Sequence, residues 1–382
     1  MKLMMFSGDR QVCVGEKGPF HSMLRSFSTH FERIDVLVPP QPGPIVTTTL
    51  FDKVHFHPAD CSRFAMPRYL FRKGRELIRE HGHELIISHD YGLFYNGRGA
   101  AKLSRATGVP YLSEIHHVPG VPVAADRREV FERWITRRYV HWAVSRAAAF
   151  RVVNATEMPE LLRSWGVPAE KIEVIPSLYI DLDVFRPVPG QLEFQQDMVF
   201  VGRLVANKGL DRMVAALALL RKSGQRVHAL FVGKGPLAGE LRQRVRQAGL
   251  EDTTRFIEWV DTPDDLADIY RRSRVVVCAS TCEGGPRFTV EAMACGTPAV
   301  STPVGVMTEL LQDGEAGRLC GFHAEGLAAA LLDVLGDEDR RRRMGRAAWE
   351  RAQPHEYERA IANYADGVKR IAAAHADPGA RA

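Results

Sequence analysis

The sequence predicts an α/β protein with two doubly wound domains that face each other across a cleft. Two observations support this prediction: short apolar runs alternate with helical patterns along the chain, and a turn-rich segment divides these repeats into two sets. The length of 382 residues fits two domains of ordinary size. The dividing segment, residues 176–190, has no clear period and is predicted to be the linker.

Each predicted strand is short and apolar, and the connection after it is long enough for a parallel crossover. In the first half the predicted strands are residues 2–6, 33–38, 85–88, 111–115, 149–153 and 172–175. In the second half they are residues 197–201, 228–232, 254–258, 275–279 and 299–301. The predicted helices of the second half are residues 209–223, 236–248, 264–273, 327–335 and 337–351. Ligands of such sheets bind at the carboxyl ends of the strands, so site residues are expected there.

The composition fits a protein of the cytoplasm. Apolar residues make up 45% of the chain and charged residues 25%, which is ordinary for a globular protein. No apolar stretch approaches the roughly 18 residues that a membrane-spanning helix needs. Residues 1–8 read as a first strand rather than as a signal peptide. The 6 cysteines include no CxxC pair, which fits a reducing compartment.

Positive charge is concentrated in the first half of the chain. Residues 1–180 carry 24 basic and 18 acidic side chains, a net charge of +6, and the remainder carries 27 and 28, a net charge of −1. Within residues 63–79 and 127–138, basic and apolar side chains are interleaved. Such helices either present an ordinary solvated face or dock on an anionic membrane, here the inner face of the cytoplasmic membrane. No nucleic-acid-binding module accompanies the charge, so nucleic acid is not an expected partner.

Two carboxylates, Glu283 and Glu291, lie eight residues apart around a glycine-rich turn and a helix start. The turn follows a predicted buried strand, and Gly296 followed by Pro298 marks the end of the helix. Loops of this kind present backbone N–H groups to anions. The carboxylates then fit as acceptors for the hydroxyls of a sugar and a ribose on either side of a phosphate.

Two further loops at predicted strand ends carry glycine and cations. Arg203 and Lys208 follow residues 197–201, and a planar guanidinium with a mobile ammonium suits a diphosphate. Gly233 belongs to a second glycine turn, which alone favours a plain turn. Val260 follows the next strand, where main-chain groups can contact the edge of a nucleobase.

In combination these residues resemble the retaining glycosyltransferases of family 4, which have the GT-B fold. The resemblance covers most of residues 197–320 and includes the motifs described above and the segment with Gly305 and Glu309. Residues 349–372 are similar to the family's closing helix. The resemblance implies two Rossmann-like domains. Residues 1–180 would bind the acceptor, together with a helix at about 357–375 that crosses back, and residues 190–356 would bind the nucleotide-sugar donor.

The resemblance also implies roles for the donor-site residues. Arg203 and Lys208 would stabilise the departing diphosphate, Glu283 would accept from sugar hydroxyls, and Glu291 would bind the ribose. Where the family usually has Glu-Gly-Phe-Gly-Leu, this chain has Glu-Gly-Gly-Pro-Arg, so Arg287 either adds a third cation beside the phosphates or points to solvent. The further implied donor contacts are at Gly233, Val260, Gly285, Arg287 and Phe288.

The first half matches the family more loosely. Gly15, Lys17 and Gly18 lie in a loop similar to the family's glycine loop, which approaches the diphosphate when the cleft closes. By register, His116 matches the histidine that contacts the donor sugar and the reaction centre, and His117 is the neighbouring alternative. The implied acceptor contacts are His89, Asp90 and His117, with a plain structural role equally open for the first two.

The implied reaction moves a sugar from a UDP- or GDP-linked donor to a hydroxyl of a glycan, a lipid-linked or a small-molecule acceptor, as in polysaccharide biosynthesis. The anomeric configuration is retained by front-face substitution, in which the departing phosphate oxygen takes the acceptor's proton. The implied catalytic residues are His116, Arg203, Lys208 and Glu283. No Asp-x-Asp pair follows a predicted strand, so neither a metal nor another cofactor is expected. An epimerase or phosphorylase of the same fold, or a non-catalytic nucleotide-sugar-binding subunit, is the alternative.

Overall fold

The computed structural model describes residues 1–190 and 193–376, and it contains two sheets of parallel strands. Each sheet has an apolar core on both of its faces, so each belongs to a doubly wound α/β domain. The predicted fold class is therefore confirmed. Within the described residues, segments 175–190 and 193–195 lie between the last strand of the first sheet and the first strand of the second.

The first sheet has eight strands in the order β3-β4-β2-β1-β5-β6-β7-β8, and only β3 is antiparallel to its neighbour. The strands are β1 (Lys2–Phe6), β2 (Arg33–Val38), β3 (Thr49–Leu50), β4 (Val54–Pro58), β5 (Leu85–His89), β6 (Tyr111–Glu114), β7 (Ala149–Val152) and β8 (Ile172–Val174). The helices that follow them are α1 (Pro19–Phe27), α2 (Met66–His81), α3 (Tyr95–Thr107), α4 (Arg127–Ala143) and α5 (Glu157–Ser164).

The second sheet has six strands, all parallel, in the order β11-β10-β9-β12-β13-β14. The strands are β9 (Gln196–Val201), β10 (Ala229–Val232), β11 (Thr254–Ile257), β12 (Ser273–Cys278), β13 (Ala299–Ser301) and β14 (Gly317–Leu319). The helices are α6 (Leu210–Lys222), α7 (Ala238–Gln247), α8 (Pro263–Arg271), α9 (Arg287–Ala294), α10 (Met307–Leu311), α11 (Ala324–Leu335), α12 (Glu338–Ala352) and α13 (Tyr357–Ala376).

Three strands, β3, β4 and β14, were not predicted from the sequence. They lie at or next to a sheet edge, and none of them is a continuous apolar run. In β4, for example, Val54 and Phe56 are buried, while the histidines that alternate with them, His55 and His57, are half-buried. The central strands differ because both of their faces are covered: Met4 and Phe6 of β1 pack on one side of the sheet, and Leu3 and Met5 on the other.

In each sheet the strand order reverses direction at one position, between β1 and β5 in the first and between β9 and β12 in the second. At such a position the loops that leave the carboxyl ends diverge to opposite faces and open a crevice. The loops concerned carry residues 7–18, 90–94, 202–209 and 279–286. These loops include half of the residues predicted to form the site.

The last helix, α13, returns to the first sheet. Its apolar face, including Ile361, Tyr364 and Val368, joins the core that contains Leu3 and Met5. The ring of Tyr364 stacks on Phe27 with 4.6 Å between centroids. The two segments that connect the sheets run side by side, because Ile180 pairs with Glu356. No helix in the described part of the chain is long and apolar enough to cross a lipid bilayer.

A buried ion pair joins the first sheet, the linker and α13. Glu114 of β6 accepts a hydrogen bond of 2.9 Å from Arg151 of β7, and both side chains are almost fully buried. Tyr364 also donates to Glu114, at 2.6 Å, and the Arg151 guanidinium lies 3.6 Å from the centroid of the Tyr364 ring. Arg151 further donates to the carbonyls of Ile175 and Pro176, at 3.0 Å each. One guanidinium therefore positions three segments that are distant in sequence.

Removing the cation of this pair should destabilise the protein strongly. Arg151→Met leaves Glu114 buried without its partner, which typically costs about 3–5 kcal/mol. We expect a lower urea midpoint, measured by tryptophan fluorescence. The control is Arg128→Met, which breaks an exposed pair with Glu132 and should cost less than about 1 kcal/mol. Equal midpoints for the Arg151 variant and the native protein would contradict this structural role.

Candidate functional site

The two domains approach each other closely at the glycine-rich turn after β12. A Cβ atom added to Gly284 would lie 2.4 Å from the carbonyl oxygen of His116, which belongs to the opposite domain. Cys282 approaches the same segment and donates to the carbonyl of Val118, with 3.1 Å between Sγ and O. A side chain at position 284 would force the domains apart, so glycine is required there by the closeness of the two backbones.

Lys208 and Glu283, both predicted site residues, contact each other in the cleft. The Lys208 ammonium donates to Oε1 of Glu283, and both side chains are mostly buried. Ser280 donates to the same oxygen at 2.7 Å. Lys208 arrives from the loop after β9 and Glu283 from the loop after β12, the two strands at which the order of the second sheet reverses. The predicted cation and the first carboxylate are thus brought together.

Arg203 and Gly233 lie in two neighbouring loops that pack against each other. A Cβ atom on Gly233, whose φ is 141°, would lie 1.9 Å from the carbonyl oxygen of Gly202. Leu204 donates to the carbonyl of Lys234 at 2.8 Å, which links the loops. The side chain of Arg203 is exposed.

Over residues 1–190 and 193–376, no group of three or more His, Cys, Asp and Glu side chains is arranged to hold a metal ion.

The second carboxylate, Glu291, is paired within its own helix. Arg287 begins α9, and its Nε donates to Oε1 of Glu291 at 2.7 Å, one turn further along. Tyr270 contacts the other oxygen at 3.4 Å. Burial raises the pKa of Glu291, while Arg287 acts in the opposite direction. The guanidinium of Arg287 therefore pairs with Glu291, the carboxylate that is predicted to bind the ribose. This pairing follows from the (i, i+4) spacing of the two residues.

Gly285 and Phe288 flank this helix start. The half-buried Phe288 ring packs on Phe200 of β9, with 5.7 Å between centroids, so its side chain is directed mainly to the core. A Cβ atom on Gly285 would lie 3.2 Å from Leu178 of the linker. The small residue keeps the turn close to the segment that connects the domains.

Val260 follows β11, and its half-buried side chain packs against the apolar core. Next to it Trp259 is 70% exposed, with the ammonium of Lys234 at 6.0 Å from its ring centroid. A small pocket of about 210 Å³ lies nearby, lined by Gly233, Lys234 and Glu258 among others. The ends of β10 and β11 thus provide main-chain groups and a flat aromatic surface at one edge of the cleft.

His89 and His116 share one carboxylate on the opposite wall of the cleft. Nε2 of His89 lies 3.4 Å from Oε2 of Glu114, and Nε2 of His116 lies 3.5 Å from the same oxygen. The Phe20 ring meets His89 edge to face, with 5.8 Å between centroids. Burial lowers the pKa of His89 to about 4, with Glu114 acting in the opposite direction. His89 is therefore neutral at physiological pH.

Glu114 is the site residue that the sequence reasoning missed. It ends β6, two positions before His116, and its other oxygen is held by Arg151. Burial alone would raise the pKa of Glu114, but Arg151 and then His116 hold it well below its ordinary range. One feature of the sequence could have indicated Glu114: it is a charged residue at the end of a predicted buried strand.

His117 follows His116 in the same loop. Burial lowers the pKa of His117, and Glu283 acts in the opposite direction. Arg203 and Lys208 lower the same pKa further, because they are cations near the ring. His116 thus lies beside Glu114 of its own domain, whereas His117 lies near the donor-side charges.

Asp90 is buried below the cleft wall. Tyr139 donates to its Oδ2 at 2.6 Å, Ser88 donates to its Oδ1 at 2.7 Å, and Ser113 also donates to Oδ2. Burial raises the pKa of Asp90 to about 6, with these hydroxyl donors acting in the opposite direction. Both oxygens are occupied by internal donors, an arrangement suited to fixing the ends of β5 and β6. A contact between Asp90 and an acceptor stays a prediction.

Gly15, Lys17 and Gly18 form the turn between β1 and α1. Gly15 has a φ of 90°, and Gly18 directly precedes the first residue of α1, Pro19. A Cβ atom on Gly18 would lie 2.8 Å from Oε1 of Gln11. The side chain of Lys17 is exposed. The turn lies beside β5 at the switch point of the first sheet, next to His89.

An acidic contact joins α5 of the first domain to the segment after β13. Oε1 of Glu309 accepts from the backbone N–H of Ala155 at 2.7 Å and of Thr156 at 3.0 Å. Glu157 faces the same segment and accepts from the N–H of Gly305 at 3.4 Å. Burial raises the pKa of Glu157 to about 7; the Gly305 N–H opposes this shift and Glu309 adds to it. Two carboxylates therefore meet at this contact.

Glu157 should make stability depend on pH. Its folded pKa of about 7 exceeds its ordinary value of 4.5, so its ionisation destabilises the fold as pH rises between these values. The Tm difference between Glu157→Gln and the native protein should be small near about pH 5 and increasingly positive towards about pH 8. The matched control is Glu160→Gln, which removes one carboxylate from the exposed side of α5. Parallel Tm curves for Glu157→Gln and the native protein would contradict this prediction.

Two family models match the chain. The model described as glycosyl transferases group 1 matches residues 184–351, and the model described as glycosyl transferase 4-like domain matches residues 25–177. Among similar proteins, D-inositol 3-phosphate glycosyltransferase of Pseudarthrobacter chlorophenolicus is 30% identical over 308 residues, which is 74% of this chain and 70% of that protein. The protein of the same name from Kribbella flavida is 30% identical over 297 residues, 73% of this chain and 69% of that protein.

Solved structures share the fold over nearly the whole chain. Sucrose-phosphate synthase from Thermosynechococcus elongatus superposes with a TM-score of 0.80 at 20% identity, covering 98% of this chain and 99% of that one. Anabaena HepE, solved in complex with UDP and glucose, superposes with a TM-score of 0.73 at 20% identity, covering 97% and 100%. At this identity the likeness extends to the two-domain architecture.

Proposed function

This chain belongs to the glycosyl transferases group 1 family, and we propose that it is a retaining, metal-independent glycosyltransferase that uses a nucleotide-diphosphate sugar. The observation that carries the proposal is the contact between Lys208 and Glu283 in the cleft, with Arg203 exposed in the same loop as Lys208. Two cations suit a diphosphate, and the carboxylate suits the hydroxyls of the attached sugar.

On this proposal, binding of the donor breaks two ion pairs within the protein and replaces them with contacts between the protein and the donor. The diphosphate replaces Glu283 as the partner of Lys208, and Glu283 then accepts from sugar hydroxyls. The ribose replaces Arg287 on Glu291 in the same way, which leaves the Arg287 guanidinium free to contact the phosphates. The N–H groups at Gly285, Arg287 and Phe288 meet phosphate or sugar oxygens, and the main chain at Gly233 and Val260 contacts the nucleoside.

The proposed reaction breaks the bond between the anomeric carbon and the diphosphate oxygen, and forms the new glycosidic bond on the same face of the sugar. The departing phosphate oxygen takes the proton of the acceptor hydroxyl. Arg203 and Lys208 stabilise the negative charge that develops on the leaving group, which replaces a metal ion in that role. His116, oriented by Glu114, contacts the sugar at the reaction centre, and closure of the cleft excludes water.

We assign donor binding to residues 190–356 and acceptor binding to residues 1–180 with the helix at about 357–375. Gly15, Lys17 and Gly18 face the diphosphate from the acceptor side, while His89 and His117 contact the acceptor. The acceptor is a hydroxyl of a glycan, a lipid-linked or a small-molecule compound. The names of the relatives make D-inositol 3-phosphate the first acceptor to test, and the HepE complex makes UDP-glucose the first donor.

We also propose that the enzyme docks on the inner face of the cytoplasmic membrane through α4. Aromatic and basic side chains alternate along the exposed face of this helix. Phe131 is 59% and Trp134 is 53% exposed, and their rings stack at 5.8 Å. Arg138 also contacts Trp134, with its guanidinium 5.0 Å from the ring centroid. Helices that lie at a membrane surface place aromatic rings at the boundary between headgroups and acyl chains, and arginine side chains near the lipid phosphates.

Loss of either donor-binding side chain, Lys208 or Glu291, should impair transfer while the fold persists. We expect Lys208→Ala to lower kcat/KM by about 10²–10³-fold, because the leaving group loses a charged contact, and Glu291→Ala to raise the donor KM. UDP- and GDP-sugars are incubated with the acceptors and the products identified by NMR. Lys222→Ala, on the exposed end of α6, is the matched control.

The same assay separates the parts of the proposal. Transfer should persist in EDTA, and the product should keep the anomeric configuration of the donor. Normal turnover by both variants would overturn the assignment of the site. An inverted product or inhibition by EDTA would overturn the retaining or the metal-independent part alone. A changed nucleotide sugar without transfer would indicate an epimerase, and binding without any turnover a non-catalytic subunit.

The membrane proposal is tested by flotation with vesicles of phosphatidylcholine with and without phosphatidylglycerol. Phe131→Ser together with Trp134→Ser should weaken binding to the anionic vesicles by at least about tenfold, because the apolar anchor is lost. The control, Leu332→Ser with Trp349→Ser, removes two partly exposed apolar side chains from the second domain. Undiminished flotation of the α4 variant would contradict docking through this helix.

A further inference from the structure

Three exposed apolar side chains lie at the carboxyl edge of the first sheet, next to the predicted acceptor residues His89 and Asp90. Phe64 is 81%, Tyr91 is 59% and Leu93 is 45% exposed. Tyr91 directly follows Asp90 in the loop between β5 and α3, and Phe64 lies in the turn before α2. We call these three side chains the apolar rim. Side chains of this size are mostly buried in globular proteins, and adjoining exposed ones indicate a binding surface.

Contacts between the loops make the apolar rim one surface. The Phe64 ring meets Tyr95, the first residue of α3, edge to face with 6.3 Å between centroids. The Tyr91 hydroxyl lies so close to Gly8 that a Cβ atom there would clash with it. Leu93 lies between Tyr91 and Tyr95 in the chain. The loops after β1, β4 and β5 therefore meet beside the switch point of the first sheet.

Two exposed arginines belong to the same loops. Arg63 directly precedes Phe64, and Arg10 lies two residues after Gly8. Burial raises the pKa of Tyr91, while the charges of Arg63 and Arg10 act in the opposite direction. The surface around the apolar rim thus combines apolar side chains with positive charge.

The two aspartates that adjoin these residues are held by internal donors. Asp9 precedes Arg10, and its Oδ1 accepts from the backbone N–H groups of Gln11 and Val12, at 3.2 and 2.9 Å. Asp90 accepts from three hydroxyls below the cleft wall. Because these carboxylates are engaged elsewhere, the guanidinium groups can pair with an anion that a ligand supplies.

The apolar rim lies on the side of the first sheet that α4 covers. α2, α3 and α4 share one apolar core, and Phe94, directly before α3, stacks on Tyr139 of α4 with 4.1 Å between centroids. α4 is the helix with the exposed aromatic and basic face described above. A ligand chain on the apolar rim can therefore extend towards the surface that faces the membrane, while its other end reaches His89.

We propose that the acceptor is a lipid linked through phosphate, with its apolar chain on the apolar rim and its phosphate paired with Arg10 and Arg63. This inference rests on the proposed function and narrows the acceptor to one of the classes left open there. A soluble compound has no chain to cover the apolar rim, and a neutral lipid leaves both guanidinium groups without an anion. The acceptor hydroxyl enters the cleft at His89.

Binding is tested without the reaction, on the full chain of the α4 variant used for flotation, so that α4 contributes no apolar anchor. Octyl phosphate and methyl phosphate are titrated into this protein by calorimetry. Octyl phosphate should bind at least about tenfold more tightly, because its chain covers apolar surface. Adding Phe64→Ser and Leu93→Ser should remove this difference. Adding Leu332→Ser and Trp349→Ser, two partly exposed apolar side chains of the second domain, should preserve it.

The role of the arginines is tested in the same protein. Arg10→Gln with Arg63→Gln should weaken binding of octyl phosphate at least about tenfold, because charged hydrogen bonds are lost. Binding of octyl glucoside, which has the same chain and no charge, should change less than about twofold. The matched control is Arg79→Gln with Arg105→Gln, two exposed arginines in the last turns of α2 and α3, which should change the affinity for octyl phosphate less than about twofold.

Three results would overturn the proposal. Equal affinities for octyl and methyl phosphate would assign the arginines to a soluble phosphate compound. Binding of octyl phosphate unchanged by the rim substitutions would place its chain elsewhere. Equal weakening by the two pairs of arginine substitutions would show a general effect of net charge.

The experiment separates this inference from the proposed function. Transfer to a soluble acceptor, together with equal affinities for the two phosphates, would uphold the proposed function and overturn this inference alone. Chain-dependent binding through the apolar rim, without transfer to any acceptor, would uphold a site for a phosphate-linked lipid and contradict the proposed function.

Discussion

The buried pair of Glu114 and Arg151 is the interaction on which the rest of the molecule depends. Arg151 holds the carboxylate on one side and the carbonyls of residues 175 and 176 on the other, where the chain leaves the first domain. Tyr364 brings the returning helix to the same carboxylate. The second oxygen of Glu114 faces the two cleft histidines. A buried charge without a partner is strongly destabilising, so the position of the linker, the last helix and the cleft wall are fixed together.

The donor side of the cleft is built on a related constraint, because four of its charged side chains form two ion pairs. Lys208 is paired with Glu283, and Arg287 with Glu291. A mostly buried cation left alone would pay a large desolvation penalty, which the neighbouring carboxylate offsets. A ligand with both phosphates and hydroxyls can satisfy both members of each pair at once. A bare anion satisfies the cations alone, and would leave two carboxylates without donors.

The central strands and the donor loops could be predicted from the sequence because their signals are local. A parallel strand that is buried on both faces is a continuous apolar run, and its loop follows directly. The strands at or next to a sheet edge, β3, β4 and β14, are not predicted because none of them is a continuous apolar run. Glu114 and Arg151 lie in predicted strands, yet their pairing across two strands and with Tyr364, 250 residues away, is set by tertiary structure. The pairing of Arg287 with Glu291 could be expected from their (i, i+4) spacing, because both residues lie in one helix.

The buried charges at the carboxyl edge of the first sheet are compensated within the domain. Glu114 is paired with Arg151, and His89 is kept neutral by burial. These buried groups therefore add little net charge to the wall that faces the cleft. Lys17 differs from them, because its side chain is exposed in the turn that follows β1. On the proposed function, an exposed cation at this position attracts the negatively charged diphosphate over a longer range than a hydrogen bond can act, while the buried pair fixes the wall that carries it.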